Sequence, residues 1–374
     1  MVLLIGNYPL ERQHSMHRFA AMLLHNLSAA GIPAELINPR PALGKFFTSS
    51  GFISKWLAYI DKFILFPRQL RAKLGQRPDV VHICDHSNAM YDAHVKDTPV
   101  VVTCHDLIAV RSALGEEALH CPVSFTGKLL QRWILRALRQ ADVIACVSQA
   151  TRSDAQRLVS QNGSSPSVEL VALGFSYPYR KLSEAETLAR LKKIPHLSQP
   201  FVLHVGSNVP RKNRSGVLRM FAGARDKWSG RLVFAGDPLD SELVLLAEQL
   251  GISDRIVQVK DASEEMLEAL YCGAVALLYP SYSEGFGWPV IEAQACGCPV
   301  ICSNVGPLLE TAGEAGLFHD PDDEPGFIAD MLRLNDASER AAWSEKSLRN
   351  AERFSTGTMT SKYIDIYRRI GAKL

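Results

Sequence analysis

Two glutamates eight residues apart carry the strongest chemical signal in the sequence. Glu284 and Glu292 flank the segment GFGWP, which follows a β-branched run and precedes a helical pattern. A carboxylate suits a sugar, because it can accept two hydrogen bonds from a vicinal diol. Gly285 and Gly287 allow a ligand to approach the backbone closely, and free N–H groups before a helix form an anion site. The pattern therefore predicts a site for a sugar and an anion.

A cluster of cations is the second signal. Arg211, Lys212 and Arg214 follow a strand-like run, where a helical pattern over 211–225 begins. Cations at a helix N-terminus oppose the macrodipole at a cost of about 0.3–1 kcal/mol each, so we expect an anion between them. A diphosphate would use both the guanidinium fork and the ammonium point charge. The alternative is that these side chains extend into solvent.

A histidine and an aspartate form the third signal. His105 and Asp106 come directly after the strand-like run 100–103. Active-site residues of open α/β sheets gather at the carboxyl ends of strands. A histidine at a strand end is often structural when it stands alone, but the two other signals favour a functional role here.

The elements that must position these residues alternate between strand and helix. Strand-like runs lie at 2–5, 80–83, 100–103, 143–147, 201–205, 232–235, 256–259, 275–278 and 299–302. Longer segments between them show 3.6-residue periodicity, and the last such segment is 358–370. The strand series is interrupted once, at 174–200, by a proline-containing stretch typical of a linker. This alternation predicts an α/β protein with two parallel sheets, each covered on both faces.

Length, composition and cysteine spacing limit the class of protein to which this chain can belong. The 374 residues exceed the size at which a single core usually stops growing, and the 47% hydrophobic and 21% charged fractions are those of a soluble globular protein. The opening segment MVLLIGNYPLERQ lacks a basic region and predicts a buried strand rather than a signal peptide. The CGCPVIC cluster lacks the usual spacing of zinc ligands, so we expect eight reduced cysteines, a cytoplasmic location and no metal.

Basic residues concentrate in one aromatic-rich segment. Residues 45–77 hold seven Lys and Arg, one acid (Asp61) and seven aromatic residues. One interpretation is a peripheral contact with an anionic membrane surface. The alternative is a solvated face around a partly buried helix. Binding of nucleic acid is not expected, because no recognition module accompanies the patch.

The sequence resembles the retaining glycosyltransferases of family 4, which have the GT-B fold. The resemblance rests on the E-x7-E element at Glu284 and Glu292, the PRKN element at Pro210–Asn213, and the His-Asp turn at His105–Asp106. It extends to the flanking segments CVSQATRSDAQRL, LVFAGDP, ASEEMLEALY and GLFHDPDD. It covers nearly the whole chain and is most specific over 200–323.

The resemblance implies a domain plan. Two Rossmann-like, doubly wound parallel-sheet domains would face a central cleft. The acceptor-side domain would span 1–180, and the nucleotide-sugar-binding domain would span 181–355. A terminal helix at 356–374 would cross back to the N-terminal domain.

The resemblance also implies residue roles. Arg211 and Lys212 would grip the donor diphosphate and stabilise the leaving group. Glu284 would lie beneath the donor sugar, Glu292 would hold the ribose hydroxyls, and His105 would reach the sugar near the reacting carbon. The other implied donor-binding positions are Gly206, Ser207, Lys260, Asp261, Gly285, Phe286 and Gly287.

The N-terminal loop departs from the commonest family pattern. Many relatives have paired glycines after the first strand, whereas this chain has Gly6-Asn7-Tyr8-Pro9, with Ser15 a few residues later. The loop normally faces the acceptor and the donor phosphate. Asn7, Tyr8 and Ser15 are therefore candidate substrate-binding residues, although the departure leaves the acceptor open.

The implied reaction transfers a hexose with retention and without metal or other cofactor, the nucleotide-sugar being a co-substrate. Same-face attack is favoured over a covalent intermediate on Glu284. The Asp320–Asp322 triplet predicts a turn rather than a metal site. GDP-mannose is the favoured donor, with UDP-hexoses open. The acceptor would be a saccharide, lipid-linked if 45–77 meets a membrane.

Three rival functions stay open from the sequence. One is a GT-B sugar-nucleotide epimerase, which would need no acceptor. Another is an NAD-dependent oxidoreductase, which is disfavoured because no G-x-G-x-x-G follows a predicted first strand. The third is a catalytically silent binding subunit, disfavoured by the complete set of candidate residues.

Overall fold

The chain forms two compact units. The computed structural model describes residues 1–11, 13–44, 52–116, 121–160, 165–195, 197 and 199–374, with backbone alone at 52–55. Unit 1 comprises Met1–Ala118, Pro122–Ser176 and Ser355–Leu374, and unit 2 comprises Leu119–Cys121 and Tyr177–Phe354. Among the described residues, no helix is long and apolar enough to cross a membrane.

Unit 1 is built on a six-stranded parallel sheet of order β2-β1-β3-β4-β5-β6. Its strands are β1 (Val2–Ile5), β2 (Ala34–Ile37), β3 (Val80–Ile83), β4 (Val100–Cys104), β5 (Val143–Cys146) and β6 (Ser167–Leu170). The four central strands are buried along their whole length, which explains their nearly continuous apolar sequences. The edge strands β2 and β6 are only partly buried and carry polar residues.

Helices connect the strands of unit 1. They are α1 (His14–Ala29), α2 (Phe52–Ile60), α3 (Phe66–Leu74), α4 (Ile108–Ala113), α5 (Phe125–Leu138) and α6 (Gln149–Val159). A π-helical turn at Asp61–Leu65 joins α2 to α3, and a 3-10 helix covers His86–His94.

Unit 2 has a second six-stranded parallel sheet, of order β12-β11-β10-β7-β8-β9. Its strands are β7 (Phe201–Gly206), β8 (Arg231–Gly236), β9 (Ile256–Val259), β10 (Ala276–Tyr279), β11 (Val300–Ser303) and β12 (Gly316–His319). The predicted α/β class with two parallel sheets is confirmed. The strand order reverses between β10 and β7, the place where open α/β sheets bind ligands.

The helices of unit 2 follow its strands, and one more helix belongs to unit 1. Those of unit 2 are α7 (Glu184–Leu191), α8 (Arg214–Gly223), α9 (Ser241–Gln249), α10 (Glu264–Gly273), α11 (Trp288–Ala295), α12 (Gly306–Ala312), α13 (Glu324–Arg333) and α14 (Ala337–Ala351). The last helix, α15 (Thr356–Arg369), lies within unit 1.

Helix α15 is attached to the unit 1 sheet by buried polar contacts. The hydroxyl of Tyr367 lies 2.5 Å from Nδ1 of His82, a β3 residue with no solvent exposure. The other ring nitrogen of His82 lies 2.7 Å from the Thr103 hydroxyl, which lies 2.8 Å from the hydroxyl of Tyr363. Burial lowers the pKa of His82 to about 3, so the ring is neutral. These contacts satisfy polar groups that the sheet alone would leave unpaired.

Candidate active site

A partly buried cluster of two cations and one carboxylate lies at the reversal point of the unit 2 sheet. The Lys212 ammonium donates to Oε1 of Glu284 at 2.7 Å, and Nη1 of Arg211 lies 3.1 Å from Oε2. The ammonium also donates to the hydroxyl of Tyr279 and lies 4.5 Å from the centroid of that ring. Nη1 of Arg211 donates to the Ser283 carbonyl at 3.0 Å. The structure therefore brings three of the predicted catalytic residues together.

The charges of this cluster are mutually dependent. Burial raises the pKa of Glu284, but Lys212 and Arg211 outweigh it and hold that pKa at about 2. Burial lowers the pKa of Lys212, and the Glu284 carboxylate opposes the change. Two cations against one carboxylate leave the cluster net positive, so it suits an anionic ligand.

The backbone that presents the two cations differs from the prediction. The helical pattern at 211–225 predicts a helix that begins at Arg211, whereas Pro210–Lys212 forms a 3-10 turn and α8 begins at Arg214. Asn213 separates the two in the left-handed conformation, and its side chain accepts from the Gly216 N–H at 3.1 Å. Arg211 and Lys212 therefore lie before the helix, and the anion near them is Glu284.

Arg214 has a different environment from the two cations before it. It is buried, its Nη2 donates to the Gly206 carbonyl at 3.1 Å, and its guanidinium stacks 5.0 Å from the centroid of Phe234. Gly206 ends β7 at φ +154° and Ser207 next to it is exposed. Arg214 thus fixes the carboxyl end of β7, from which the 210–212 turn starts.

The loop before α11 supplies backbone rather than side chains. Gly287 adopts φ +100° at the start of α11, and a Cβ there would meet Cδ2 of Leu308 at 2.6 Å. The ring of Phe286 is buried and lies 5.8 Å from that of Phe354. The Phe286 carbonyl accepts from the Thr311 hydroxyl at 2.6 Å. Because the Phe286 ring is buried in the interior of unit 2, a ligand at this loop would contact its backbone rather than this side chain.

Glu292 accepts a hydrogen bond from a buried tyrosine. It lies on α11, is buried, and its Oε2 accepts from the Tyr271 hydroxyl at 2.9 Å. Burial raises the pKa of Tyr271 far above its ordinary value, and the Glu292 carboxylate adds to the effect. Tyr271 thus stays a donor and fixes the orientation of the Glu292 carboxylate.

Lys260 and Asp261 occupy an exposed turn after β9. Their side chains are 69% and 83% exposed, and their charged atoms lie 3.8 Å apart. Asp261 adopts φ +48°, a conformation that costs strain for a residue with a side chain. The backbone of this turn therefore has a defined conformation, while its two charged side chains are exposed to solvent.

Unit 1 carries its own polar cluster at the point where its strand order reverses. Asn7 follows β1 and Asp85 follows the neighbouring β3, and Nδ2 of Asn7 donates to Oδ2 of Asp85 at 2.6 Å. Asp85 also accepts from the Ser87 N–H at 3.0 Å, and Nδ1 of His86 lies 3.2 Å from its Oδ1. Burial opposes both charges, yet their pairing lowers the pKa of Asp85 and raises that of His86.

His105 belongs to the same end of the unit 1 sheet. Its Nε2 donates to the Cys84 carbonyl at 2.9 Å, and its ring lies edge-on to Phe19 at 4.8 Å between centroids. Burial lowers the pKa of His105, with Asp85 acting in the opposite direction. The ring is therefore neutral with the proton on Nε2, which leaves Nδ1 as the acceptor nitrogen.

The Asp85–His86 pair was not predicted from the sequence, although a signal for it exists. The polar pair Asp85-His86 comes after β3, much as His105-Asp106 comes after β4. The rule that selected His105 applies equally to both strand ends. Applying it to every central strand would have identified the pair.

Tyr8 and Ser15 have unequal surroundings. The Tyr8 ring is buried, and its hydroxyl donates to Oδ2 of Asp61 at 2.7 Å. Burial raises the pKa of Tyr8 above its ordinary value, and Asp61 adds to the change. Ser15 is exposed on α1. The structure thus assigns the Tyr8 hydroxyl to an internal contact.

The Asp320–Asp322 triplet forms the turn that was expected of it. Oδ1 of Asp320 accepts from the Asp322 N–H at 3.0 Å, and Asp322 accepts from the Tyr282 hydroxyl at 2.6 Å. Over the residues that the structure describes, no group of three or more His, Cys, Asp or Glu side chains is arranged to hold a metal ion.

Comparison with known proteins identifies the family. The model described as Glycosyl transferases group 1 matches residues 189–349, and the model described as Glycosyltransferase Family 4 matches residues 16–163. A D-inositol 3-phosphate glycosyltransferase of Mycolicibacterium smegmatis is 30% identical over 321 residues, 80% of this chain and 70% of the relative. The chain belongs to glycosyltransferase family 4.

The chain is also similar to a mannosyltransferase and to a solved structure bound to UDP-glucose. An O-antigen chain mannosyltransferase B of Escherichia coli is 32% identical over 246 residues, which is 64% of each chain. The chain thus spans just under two thirds of that relative. The solved structure of Anabaena HepE in complex with UDP-glucose shares the fold, with a TM-score of 0.75 and 15% identity over 98% of this chain and 99% of that one.

Proposed function

We propose that this protein is a retaining, metal-independent glycosyltransferase that moves a hexose from a nucleotide-sugar to a saccharide or lipid-linked saccharide. The observation that carries the proposal is the net-positive cluster of Arg211, Lys212 and Glu284 at the reversal point of the unit 2 sheet. A donor diphosphate needs cations that are already in place when the leaving group gains charge. Family membership supports the same reaction class.

The proposed step breaks the bond between the sugar's anomeric carbon and the diphosphate oxygen. The electron pair stays on the diphosphate, whose growing negative charge Lys212 and Arg211 stabilise. The acceptor oxygen bonds to the same face of the anomeric carbon, and its proton passes to the leaving diphosphate. Glu284, held as a carboxylate by the cations, would accept hydrogen bonds from the sugar hydroxyls. Its two cationic partners disfavour a role as nucleophile, because they already occupy both oxygens.

GDP-mannose is the donor that we favour. The support is the 32% identity with the mannosyltransferase of Escherichia coli, while the complex of Anabaena HepE keeps UDP-glucose as the alternative. In this proposal Glu292 holds the ribose, and the exposed turn at Lys260 and Asp261 flanks the base. We also propose a cytoplasmic location, which the cysteine pattern predicts, and a role in polysaccharide synthesis.

The test measures thermal unfolding with GDP, UDP or ADP in EDTA. A nucleotide at 100 times its dissociation constant adds about 2.7 kcal/mol of stability. We expect one nucleotide to stabilise the wild type and to stabilise Glu292→Ala much less. Glu248→Ala, at an exposed position of α9, is the control and keeps the full shift. Comparing ligand-induced shifts removes any change in the stability of the unliganded variant.

Two outcomes would contradict the proposal. A nucleotide shift that appears only after a divalent metal is added would overturn metal independence. Conversion of the nucleotide-sugar to an epimer without acceptor would identify a sugar-nucleotide epimerase instead. The anomeric configuration of the product, read from its NMR coupling constant, tests retention separately.

A further inference from the structure

Helix α5 presents an apolar ridge outward. Phe125, Leu129 and Trp133 recur every four residues, so they follow one face of the helix. They are 78%, 52% and 44% exposed, while four other residues of α5 are buried in the unit 1 core. Exposed apolar patches of this kind mark interaction sites.

A second group of exposed apolar side chains adjoins that ridge. Trp56, Tyr59 and Ile64, on α2 and the π-helical turn, are 54%, 38% and 52% exposed. The ring centroids of Tyr59 and Phe63 are 5.6 Å apart, and those of Phe63 and Trp133 are 5.5 Å apart. Phe63 therefore joins the two groups into one surface within unit 1.

The charged side chains that α5 exposes beside the ridge are all basic, and Glu11, an acid beside the second group, is paired with Lys62 at 2.7 Å. Lys128, Arg132 and Arg136 recur every four residues on α5, next to the ridge, and all three are exposed. The α5 sequence contains no acid, and Asp61 is the only acid within 52–74. Asp61 has no solvent exposure, and its carboxylate accepts from Tyr8 and from three backbone N–H groups.

We propose that this surface docks unit 1 onto a lipid bilayer that carries anionic headgroups. We call it the docking surface, and its members are Trp56, Tyr59, Ile64, Phe125, Leu129, Trp133, Lys128, Arg132 and Arg136. Aromatic rings favour the boundary between acyl chains and headgroups, and the basic row faces the anionic lipids. The inference extends the expected 45–77 contact to a helix outside that segment, and it does not rest on the proposed donor.

Charge complementarity favours an anionic bilayer over a second copy of the chain as the partner of the docking surface. A symmetric dimer formed through the docking surface would bring the basic row of α5 against or beside its own copy. Like charges placed together at an interface cost free energy. An anionic bilayer neutralises the same row, and it also accepts the exposed rings and leucine.

The test is flotation of the full chain with vesicles of phosphatidylcholine, with or without about 30% phosphatidylglycerol. We expect binding only to the anionic vesicles and weaker binding as salt rises. Arg132→Glu with Arg136→Glu should lower the partition constant at least about thirtyfold, because each basic residue near the surface contributes about fivefold. Phe125→Ser with Leu129→Ser should lower binding at every salt concentration, since apolar burial is not screened.

Matched controls lie on unit 2. Lys192→Glu with Lys193→Glu changes two exposed lysines, and Leu245→Ser changes a leucine that is 53% exposed. Both should bind vesicles like the wild type, and all variants should keep its melting temperature because every altered side chain is exposed.

Three results would overturn the proposal. The first is wild-type protein that does not float with anionic vesicles. The second is an equal loss of binding in the unit 2 controls. The third is sedimentation showing a lipid-free dimer that Phe125→Ser with Leu129→Ser abolishes, which would make a second copy the occupant.

Discussion

Replacing Glu284 by glutamine tests two effects of its carboxylate. The carboxylate stabilises the unliganded protein, and it competes with a diphosphate for the two cations. In the unliganded protein the carboxylate neutralises part of the charge of Lys212 and Arg211. The change keeps the shape of the side chain but leaves the buried Lys212 ammonium without an anion. A pKa lowered from 4.5 to about 2 corresponds to about 3 kcal/mol. Removing one partner of a buried pair costs a similar amount, about 3–5 kcal/mol.

The same substitution should strengthen the binding of a nucleoside diphosphate. The two cations no longer face a competing carboxylate, so they are available to the diphosphate. Recovery of half of the lost free energy on binding would tighten the complex about tenfold. We therefore expect Glu284→Gln to be less stable alone, to bind GDP or UDP more tightly, and to transfer no sugar.

Denaturant unfolding and titration calorimetry at pH 7 measure these two effects. The control is Glu345→Gln, whose exposed partner is Arg349, and it should change stability by well under about 1 kcal/mol. Weaker diphosphate binding by Glu284→Gln would refute the reasoning, because it would mean that the carboxylate assists the phosphate site.

The pH dependence gives a further check on the same residue. The folded pKa of Glu284 lies below its ordinary value, so its contribution to stability is present above pH 4.5. That contribution is lost as the pH falls through about 2. The wild type should therefore lose more stability between these values than Glu284→Gln does.

Three other substitutions test separate parts of the structure. Asp61→Asn weakens an acceptor that serves four hydrogen-bond donors, so thermal unfolding should show unit 1 destabilised by about 2–4 kcal/mol; an unchanged melting temperature would contradict this. Asp85→Asn removes the anion that raises the pKa of His86, so NMR titration should show that pKa falling, and a rise would refute the pairing. Gly287→Ala should destabilise unit 2 in denaturant by about 1–3 kcal/mol, because φ is +100° and Leu308 occupies the space; retained stability would show that the loop can relax.

The strands that the sequence predicts are those with continuous apolar runs. All four central strands of unit 1 were predicted to within one residue at each end, since burial on both faces requires such a run. The strands β2, β6 and β12 were not predicted. Their sequences AELI, SVEL and GLFH mix polar with apolar residues, because each strand lies at the edge of its sheet.

The candidate site was predicted in composition but not in geometry. The residue types near Glu284, Arg211 and Lys212 indicated an anion between the cations, but periodicity could not show that this anion is Glu284. The left-handed Asn213 stops the helical pattern from extending back to Arg211. Contacts between residues 72 positions apart, such as Lys212 with Glu284, depend on the sheet order rather than on local sequence.

The attachment of α15 to unit 1 has a consequence for synthesis on the ribosome. His82 and Thr103 lie in the middle of the unit 1 sheet, yet their tyrosine partners are made only after all of unit 2. At about 5–20 residues per second, the intervening segment takes about 10–35 s to synthesise. During that time unit 2 can complete its core, whereas the first sheet waits without the tyrosine partners of His82 and Thr103. The unit that begins first is therefore the one that finishes last.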